Sequence, residues 1–391
     1  MNAEPAFRDG GLTGFDGAAA RLHSAGHMSN FEAARLTVRL GAVASNYRAF
    51  QRMAGSAVVA GVVKADAYGM GMIPVAKHLA SIGCDTFFVA RLQEGVALRP
   101  ALPRARIFVL DGAPVDAVST LVAHRLTPVL NSLTDIENWN AAANGTALDA
   151  AIHFDTGINR LGLPREELDV LVSEQMKRLK GINIVLVMSH LACADDPTAP
   201  MNRMQLDRFR AGLATLPSAP ASLSSSAGVM LGKDYAFDMV RPGVGLYGGN
   251  PQPSGPNALS TVAVLMGRIL QLRHIAKGES AGYGATFVAQ RPTTLATAGL
   301  GYTDGLMRAL SNRGAGAIGG VRAPVAGRVS MDLVTLDVTD VPASALKIGA
   351  DIEFIGDTIT LEDIAAASNT ASYEILTSLA RRVPRRYEAI A

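Results

Sequence analysis

Between residues 57 and 241 the chain alternates eight times between a short apolar run and a stretch of helical periodicity. The runs lie at 57–64, 86–90, 106–110, 127–130, 147–154, 182–189, 221–225 and 237–241. Short β-branched runs of this kind are strands buried on both faces, as in parallel sheets covered by helices. Helical pattern separates them near 72–82, 94–99, after Pro114, at 134–143 and at 201–213. Pro164 opens a further helix, PREELDVLVSEQMKRLK, with acids in its first turn and bases in its last, as the helix dipole favours. Eight strand-then-helix units within the 220 residues from 31 to 250 suit a (β/α)8 barrel, which takes ~250. A doubly wound open sheet competes, but no Gly-x-Gly-x-x-Gly turn opens a helix after the first strand. The expected class is α/β, a TIM-like (β/α)8 barrel.

The segments on either side differ. Residues 31–50 alternate through ARLTVRL into a helix carrying Leu40, Val43 and Tyr47. After Asn250, PQPSGPNALS reads as a linker. Beyond it the period falls to two, at 261–272 and in VTLDV at 334–338, with turn glycines dense from 299 to 327. Helices at 361–367 and 373–381 interrupt this mainly β region. The division expected is a flexible leader at 1–30, a barrel at 31–258 and a β-rich C-terminal domain at 259–391. The leader is rich in Gly, Ala and Ser and lacks the apolar core of a secretory signal; Met28 is an alternative start.

Hydrophobic residues make up 49% of the 391, enough for a large core, and the net charge of +2 carries no basic block. That argues against nucleic acid or a polybasic membrane contact. No apolar run is long enough to span a bilayer. Cys84 and Cys193 offer neither a disulfide framework nor metal-ligand spacing, which fits a reducing cytoplasm and no metal.

Catalytic groups of a barrel sit at the carboxyl ends of its strands. Lys64 ends the first strand, Arg160 follows the fifth, and His190 ends the sixth. Ser224, Ser225 and Ser226 end the seventh, and Arg241 ends the eighth, followed by Pro242-Gly243-Val244-Gly245. A buried lysine is costly unless paired or used chemically, although a rim lysine can snorkel into water. Each residue alone is ordinary, since serines cap helices and histidines are commonly structural. On one rim they combine a reactive amine, hydroxyl and backbone N–H donors for a phosphate, and a fixed cation. That set suits pyridoxal 5′-phosphate, with the lysine bonded to the cofactor.

VVKADAYGMG resembles the cofactor-lysine motif of the alanine racemase family. DTGINRLG, SHLACAD, SSSAGV, VRPGVGLYG, SAGYGATF, GYTDG and GRVSMD resemble that family's later motifs in the same order, from residue 34 to the C-terminus. The resemblance implies a barrel that binds pyridoxal phosphate, a β-rich second domain, and cytoplasmic interconversion of L- and D-alanine that supplies peptidoglycan synthesis. It implies that Lys64 holds the cofactor and serves as one acid/base, with Tyr283 as the second on the opposite face. Inverting a stereocentre needs such a pair. A free tyrosine has a pKa near ~10, and the family lowers that barrier through a network that here joins Tyr283, His190 and Arg241. Arg241 also addresses the pyridine nitrogen, to which it can donate a hydrogen bond but not a proton. Tyr68, Ser226, Gly243 and Val244 are implied at the phosphate. Arg160, Met331 and Asp332 are implied at the cofactor phenolate and substrate carboxylate, and Tyr302 at the entry. Tyr283 is implied to come from a partner chain, so the active unit is a homodimer. Read without the resemblance, Tyr68, Tyr283 and Tyr302 are turn aromatics beside glycines and Met331 is core.

Three positions depart from the family pattern. His153 stands where many members have a lysine that can be carbamylated to brace the arginine, and an imidazole would hold Arg160 less tightly. Ser330 replaces a frequent cysteine. Arg381 stands before the RVPR segment, where a phosphate-binding tyrosine is expected. Competing readings are a racemase of serine or of several amino acids, a non-catalytic pyridoxal-phosphate-binding barrel protein, and a decarboxylase of basic amino acids. The second lacks a β domain with a tyrosine, and the third expects an acid at the pyridine nitrogen where this chain has Arg241.

Overall fold

The barrel strands form where apolar runs end in turn residues. In the computed structural model, which describes residues 32–389, seven of them pair in parallel: Gly61–Val62, Thr86–Val89, Arg106–Val109, Thr127–Leu130, Leu148–His153, Ile182–Met188 and Ala221–Ser222. The expected leader lies outside the described residues. The eighth strand, Met239–Val240, pairs in parallel with Val58–Val59, and Arg241 N–H donates to Ser224 O at 2.9 Å. These bonds join the last strand to the first and to the seventh, so the sheet closes. Every residue of Thr86–Val89 and Thr127–Leu130 is buried, as strands covered on both faces require. No helix among the described residues is long and apolar enough to cross a membrane.

Two expectations change. The helix expected from Pro164 is divided into Arg165–Ser173 and Gln175–Arg178, because Glu174 (φ −114°, ψ 17°) leaves the helical region between them. The boundary expected between residues 258 and 259 does not separate the two sheets. Ala34–Arg39, assigned above to the barrel segment, lies in the C-terminal sheet, antiparallel to Ala263–Ile275 and parallel to Arg385–Glu388. Its alternation buries Leu36 and Val38 completely while Arg35, Thr37 and Arg39 stay half-buried. A half-buried sheet asks for that period of two; a barrel strand does not.

The remaining strands of this sheet are Asp351–Ile355, Ala315–Ile318, Val321–Pro324, Thr293–Ala298 and Val334–Asp337. Helix Ser372–Ser378 carries the second domain to the barrel mouth. A Cβ on Gly69 (φ +80°) would stand 2.5 Å from the Leu376 carbonyl oxygen, and Arg385 Nε donates to Gly69 O at 2.9 Å. The turn after Lys64 is therefore packed directly on the second domain.

Because Ala34–Arg39 sits between two C-terminal strands, residues 259–391 alone should not fold. We expect that fragment to show no cooperative thermal transition by circular dichroism. A cooperative melt would mean that the inserted strand is dispensable. In the full chain, Leu36→Ala should cost about 2–5 kcal/mol in chemical denaturation.

Candidate active site

Lys64 leaves the first barrel strand into an unusual turn. Ala65, Asp66, Ala67 and Tyr68 all have φ between +54° and +55°, a left-handed turn built without glycine. Such backbone costs about 1–2 kcal/mol per residue and persists where its surroundings over-determine it. Two carboxylates do so here. Glu94 accepts from Ala65 N–H at 2.6 Å and from Ala90 N–H at 2.8 Å, and Asp66 accepts from Met72 N–H at 2.7 Å.

Lys64 lines a cavity of ≈ 550 Å³ at the carboxyl ends of the strands. Tyr68, Arg160, His190, Ser226, Arg241, Gly243 and Val244 line it as well, so these eight expected site residues are brought together. Arg241 is 4% exposed. Its guanidinium donates to Ser222 Oγ and, at 2.7 Å, to the Ser189 carbonyl, and it lies 3.5 Å from His190 Nδ1. Burial lowers Arg241 to about 9, which leaves it protonated at neutral pH. Burial, and then the Arg241 and Arg160 charges, hold His190 well below the usual imidazole range, so it is neutral. Lys64 is lowered by burial and by Arg160, an effect that Glu94 partly opposes. Lys64 thus shares the cavity with Arg241, which has no carboxylate partner among the described residues.

One end of the cavity is shaped for a phosphate. Ser226 Oγ accepts from Gly243 N–H at 2.9 Å and Gly245 N–H at 3.2 Å, leaving its own proton to donate. A Cβ on Gly243 would stand 2.3 Å from the Tyr68 hydroxyl oxygen. Tyr68 stacks on buried Tyr247 at 4.9 Å, and the Tyr373 ring lies 6.3 Å away. Tyr373 lines the cavity and Arg381 does not; Arg381 is exposed, 3.7 Å from Asp66. Tyr373 lies eight positions before Arg381, on the helix Ser372–Ser378 at the cavity mouth. The cradle, the amine and the fixed arginine fit pyridoxal phosphate.

Tyr283, Tyr302, Met331 and Asp332 do not line this cavity. Tyr283 is 72% exposed, on a 3-10 turn between two short strands, and Met331 is 55% exposed rather than core. The other three gather on one surface of the second domain. Tyr302 N–H donates to Ser330 O at 3.0 Å, Thr303 Oγ1 donates to Met331 O at 2.7 Å, and Arg382 bridges Asp304 and Asp332 at 2.6 Å each. Gly282 packs beside Gly327 and Arg328, so the 327–332 segment touches the turn of Tyr283 too.

Sequence reading missed Asn131, Phe88 and Tyr373 in the cavity wall, and Glu94 behind it. Asn131 directly follows the strand Thr127–Leu130, at the carboxyl-end position that marks a barrel site. That signal was available.

The chain matches the family models for the alanine racemase N-terminal domain over residues 38–251 and the alanine racemase C-terminal domain over residues 262–387. It is 47% identical over 355 residues to a catabolic alanine racemase of Agrobacterium fabrum, covering 90% of this chain and 91% of the relative. An alanine racemase of Rhodospirillum rubrum is 45% identical, with 91% and 96% covered. Among solved structures, alanine racemase from Bartonella henselae with covalently bound pyridoxal phosphate superposes with a TM-score of 0.87 at 37% identity, covering 91% of this chain and 99% of that one. Matching family models across both domains, with the cofactor cradle and its lysine in place, place this chain in the alanine racemase family.

Proposed function

We propose that this chain interconverts L- and D-alanine with pyridoxal 5′-phosphate, using Lys64 and Tyr283 as opposed acid/base groups. The observation that carries the reading is Lys64 lining a cavity with a phosphate cradle and a buried, carboxylate-free Arg241. The active unit is a homodimer in which Tyr283 of the partner subunit completes the cavity, with Tyr302, Met331 and Asp332 beside it. Support comes from the exposure of Tyr283 (72%), Met331 (55%) and Tyr302 (42%), large apolar groups that a second copy would cover. The work is done in the cytoplasm, where free Cys84 and Cys193 stay reduced, and D-alanine for peptidoglycan is its product.

Pyridoxal phosphate, when bound, supplies the electron sink that makes the Cα proton of an amino acid acidic. The chain supplies the rest. Lys64, whose pKa burial lowers, would hold the cofactor and would serve as the acid/base that exchanges the Cα proton on its own face. Tyr283 does the same on the other face. Arg241 stays protonated at neutral pH and would donate to the pyridine nitrogen without giving up its proton, which would keep the sink weak. Tyr68, Ser226, Gly243 and Val244 would hold the phosphate, with Tyr373 beside them. Arg160 is an exposed cation with no bonded partner among the described residues, suited to the phenolate and the substrate carboxylate. Cα inversion of alanine needs no side-chain chemistry beyond this set.

The direct test is purified protein with L-alanine and added cofactor, followed by chiral chromatography; D-alanine should accumulate to a racemic mixture. Cofactor bound without D-alanine would favour a non-catalytic binding protein. Lys64→Ala should abolish the absorbance of lysine-linked cofactor; its persistence would refute the lysine assignment. Tyr283→Phe should keep that absorbance while racemisation falls roughly 10²–10⁴-fold; full turnover would put the second base elsewhere.

Buried, neutral imidazoles also set an acid limit. His153 is lowered to about 4 by burial and the Arg241 charge. Its unfolded value is ~6.5, so between these values the unfolded chain binds the extra proton and stability rises with pH. The cofactor-free protein should lose melting temperature as pH falls from 6.5 toward 4, and His153→Gln should make that loss shallower. An unchanged slope in the variant would show that His153 is not protonated on unfolding.

A further inference from the structure

The buried charge of Arg241 is held by something other than an acid. Its Nη1 donates to Ser222 Oγ, and its Nη2 donates to the Ser189 carbonyl at 2.7 Å and the Leu223 carbonyl at 3.4 Å. These neutral acceptors engage the two Nη groups. A buried cation without a charged partner is costly, and Arg241 has no carboxylate partner among the described residues. The face of the guanidinium is where a further partner can act, and an aromatic ring stands there. Arg241 Cζ lies over the Phe88 ring, 5.9 Å from its centroid, within the reach of a cation–π contact.

The barrel fixes that ring through its register. Phe88 belongs to the strand Thr86–Val89, is 1% exposed, and lines the cavity together with Lys64 and Arg241. Parallel pairing sets Val62 opposite it on one neighbouring strand and Phe108 on the other. Side chains in register on adjacent strands share a face, and the Phe88 and Phe108 rings stack at 4.6 Å with 10° between their planes. Alternation sends Phe87 to the other face, where a Cβ on Gly61 would meet its ring at 3.2 Å. The Phe88 carbonyl also accepts from Val63 N–H at 2.9 Å, one residue before Lys64. One strand position therefore serves both the exit of the lysine and the face of the arginine.

We propose that Phe88 is a positioning residue for racemisation: its π face takes the place of a carboxylate partner and holds the Arg241 guanidinium where it presents a donor to the cofactor's pyridine nitrogen. This rests on the reading above that Arg241 addresses that nitrogen. A π face differs from an acid in what it does to the neighbours. It attracts the cation through its quadrupole and adds no net charge, so His190 stays neutral and Lys64 stays lowered beside it. A carboxylate in the same place would hold the guanidinium more strongly and would raise both groups.

Replacing Phe88 by mono-, di- and trifluorophenylalanine tests it, because fluorine draws charge from the ring face while nearly keeping the size of the ring. In chemical denaturation of the cofactor-free full chain, the folding equilibrium constant should fall stepwise, by about 10-fold at the trifluoro ring, the loss expected for a desolvated cation–π contact. In the holoenzyme, kcat for alanine should fall in the same order with a smaller change in KM. In an Arg241→Gln background there is no cation to attract, so fluorination should change neither quantity. Losses that persist in that background mean that Phe88 acts by packing alone, and they overturn the proposal. A folding constant or a kcat that stays flat across the series overturns it as well. Arg241→Gln by itself should lower kcat. An unchanged kcat in that variant overturns the reading of Arg241 at the pyridine nitrogen, and the proposal with it.

Discussion

Arg241 is buried at the cavity floor among hydroxyls and carbonyls, with no carboxylate partner among the described residues. Much of the site chemistry depends on that one placement. That charge helps to hold His190 neutral and adds to the burial that lowers Lys64. It also restricts the cofactor partner to a donor that never surrenders its proton. An acid at the same point would raise both pKa values and strengthen the electron sink, and the site would then suit reactions that lose a carboxylate or an amine.

A charged floor requires a rigid rim, and the rim is held from outside the barrel. The left-handed turn of Ala65–Tyr68 is stabilised by Glu94 from the next βα unit and packs through Gly69 on a helix of the second domain. That domain in turn incorporates Ala34–Arg39, the strand that precedes the first barrel helix. Chain order and sheet order therefore interlock, and Lys64 takes its exit direction from both units. Strain at a reactive residue of this kind persists only under such over-determination.

How much of this was legible in the sequence follows from what each feature depends on. The barrel was readable because buried parallel strands announce themselves as unbroken apolar runs. Lys64, Arg160, His190, Ser226 and Arg241 were readable because they stand at the ends of those runs. Tyr373 was not, since it reaches the cavity from a helix whose docking no local pattern encodes; the position before RVPR, Arg381, was left unassigned. Ala34–Arg39 was placed with the barrel by chain adjacency, although its period of two belonged to the other sheet. The place of Asn131 at a strand end was readable, but its contact with His153 Nδ1 on the neighbouring strand, at 2.8 Å, was not.

The central claim is that one cavity draws Lys64 and Tyr283 from two different copies of the chain. Mixed dimers test it directly. Lys64→Ala and Tyr283→Phe proteins, each inactive alone, would be unfolded, mixed in equal amounts and refolded together. Random pairing in a two-fold dimer makes half of the dimers mixed, each with one intact site, so activity should return to about a quarter of the wild-type value. A mixture of verified mixed dimers that stays as inactive as its parents would contradict the account, because both groups would then have to come from the same copy.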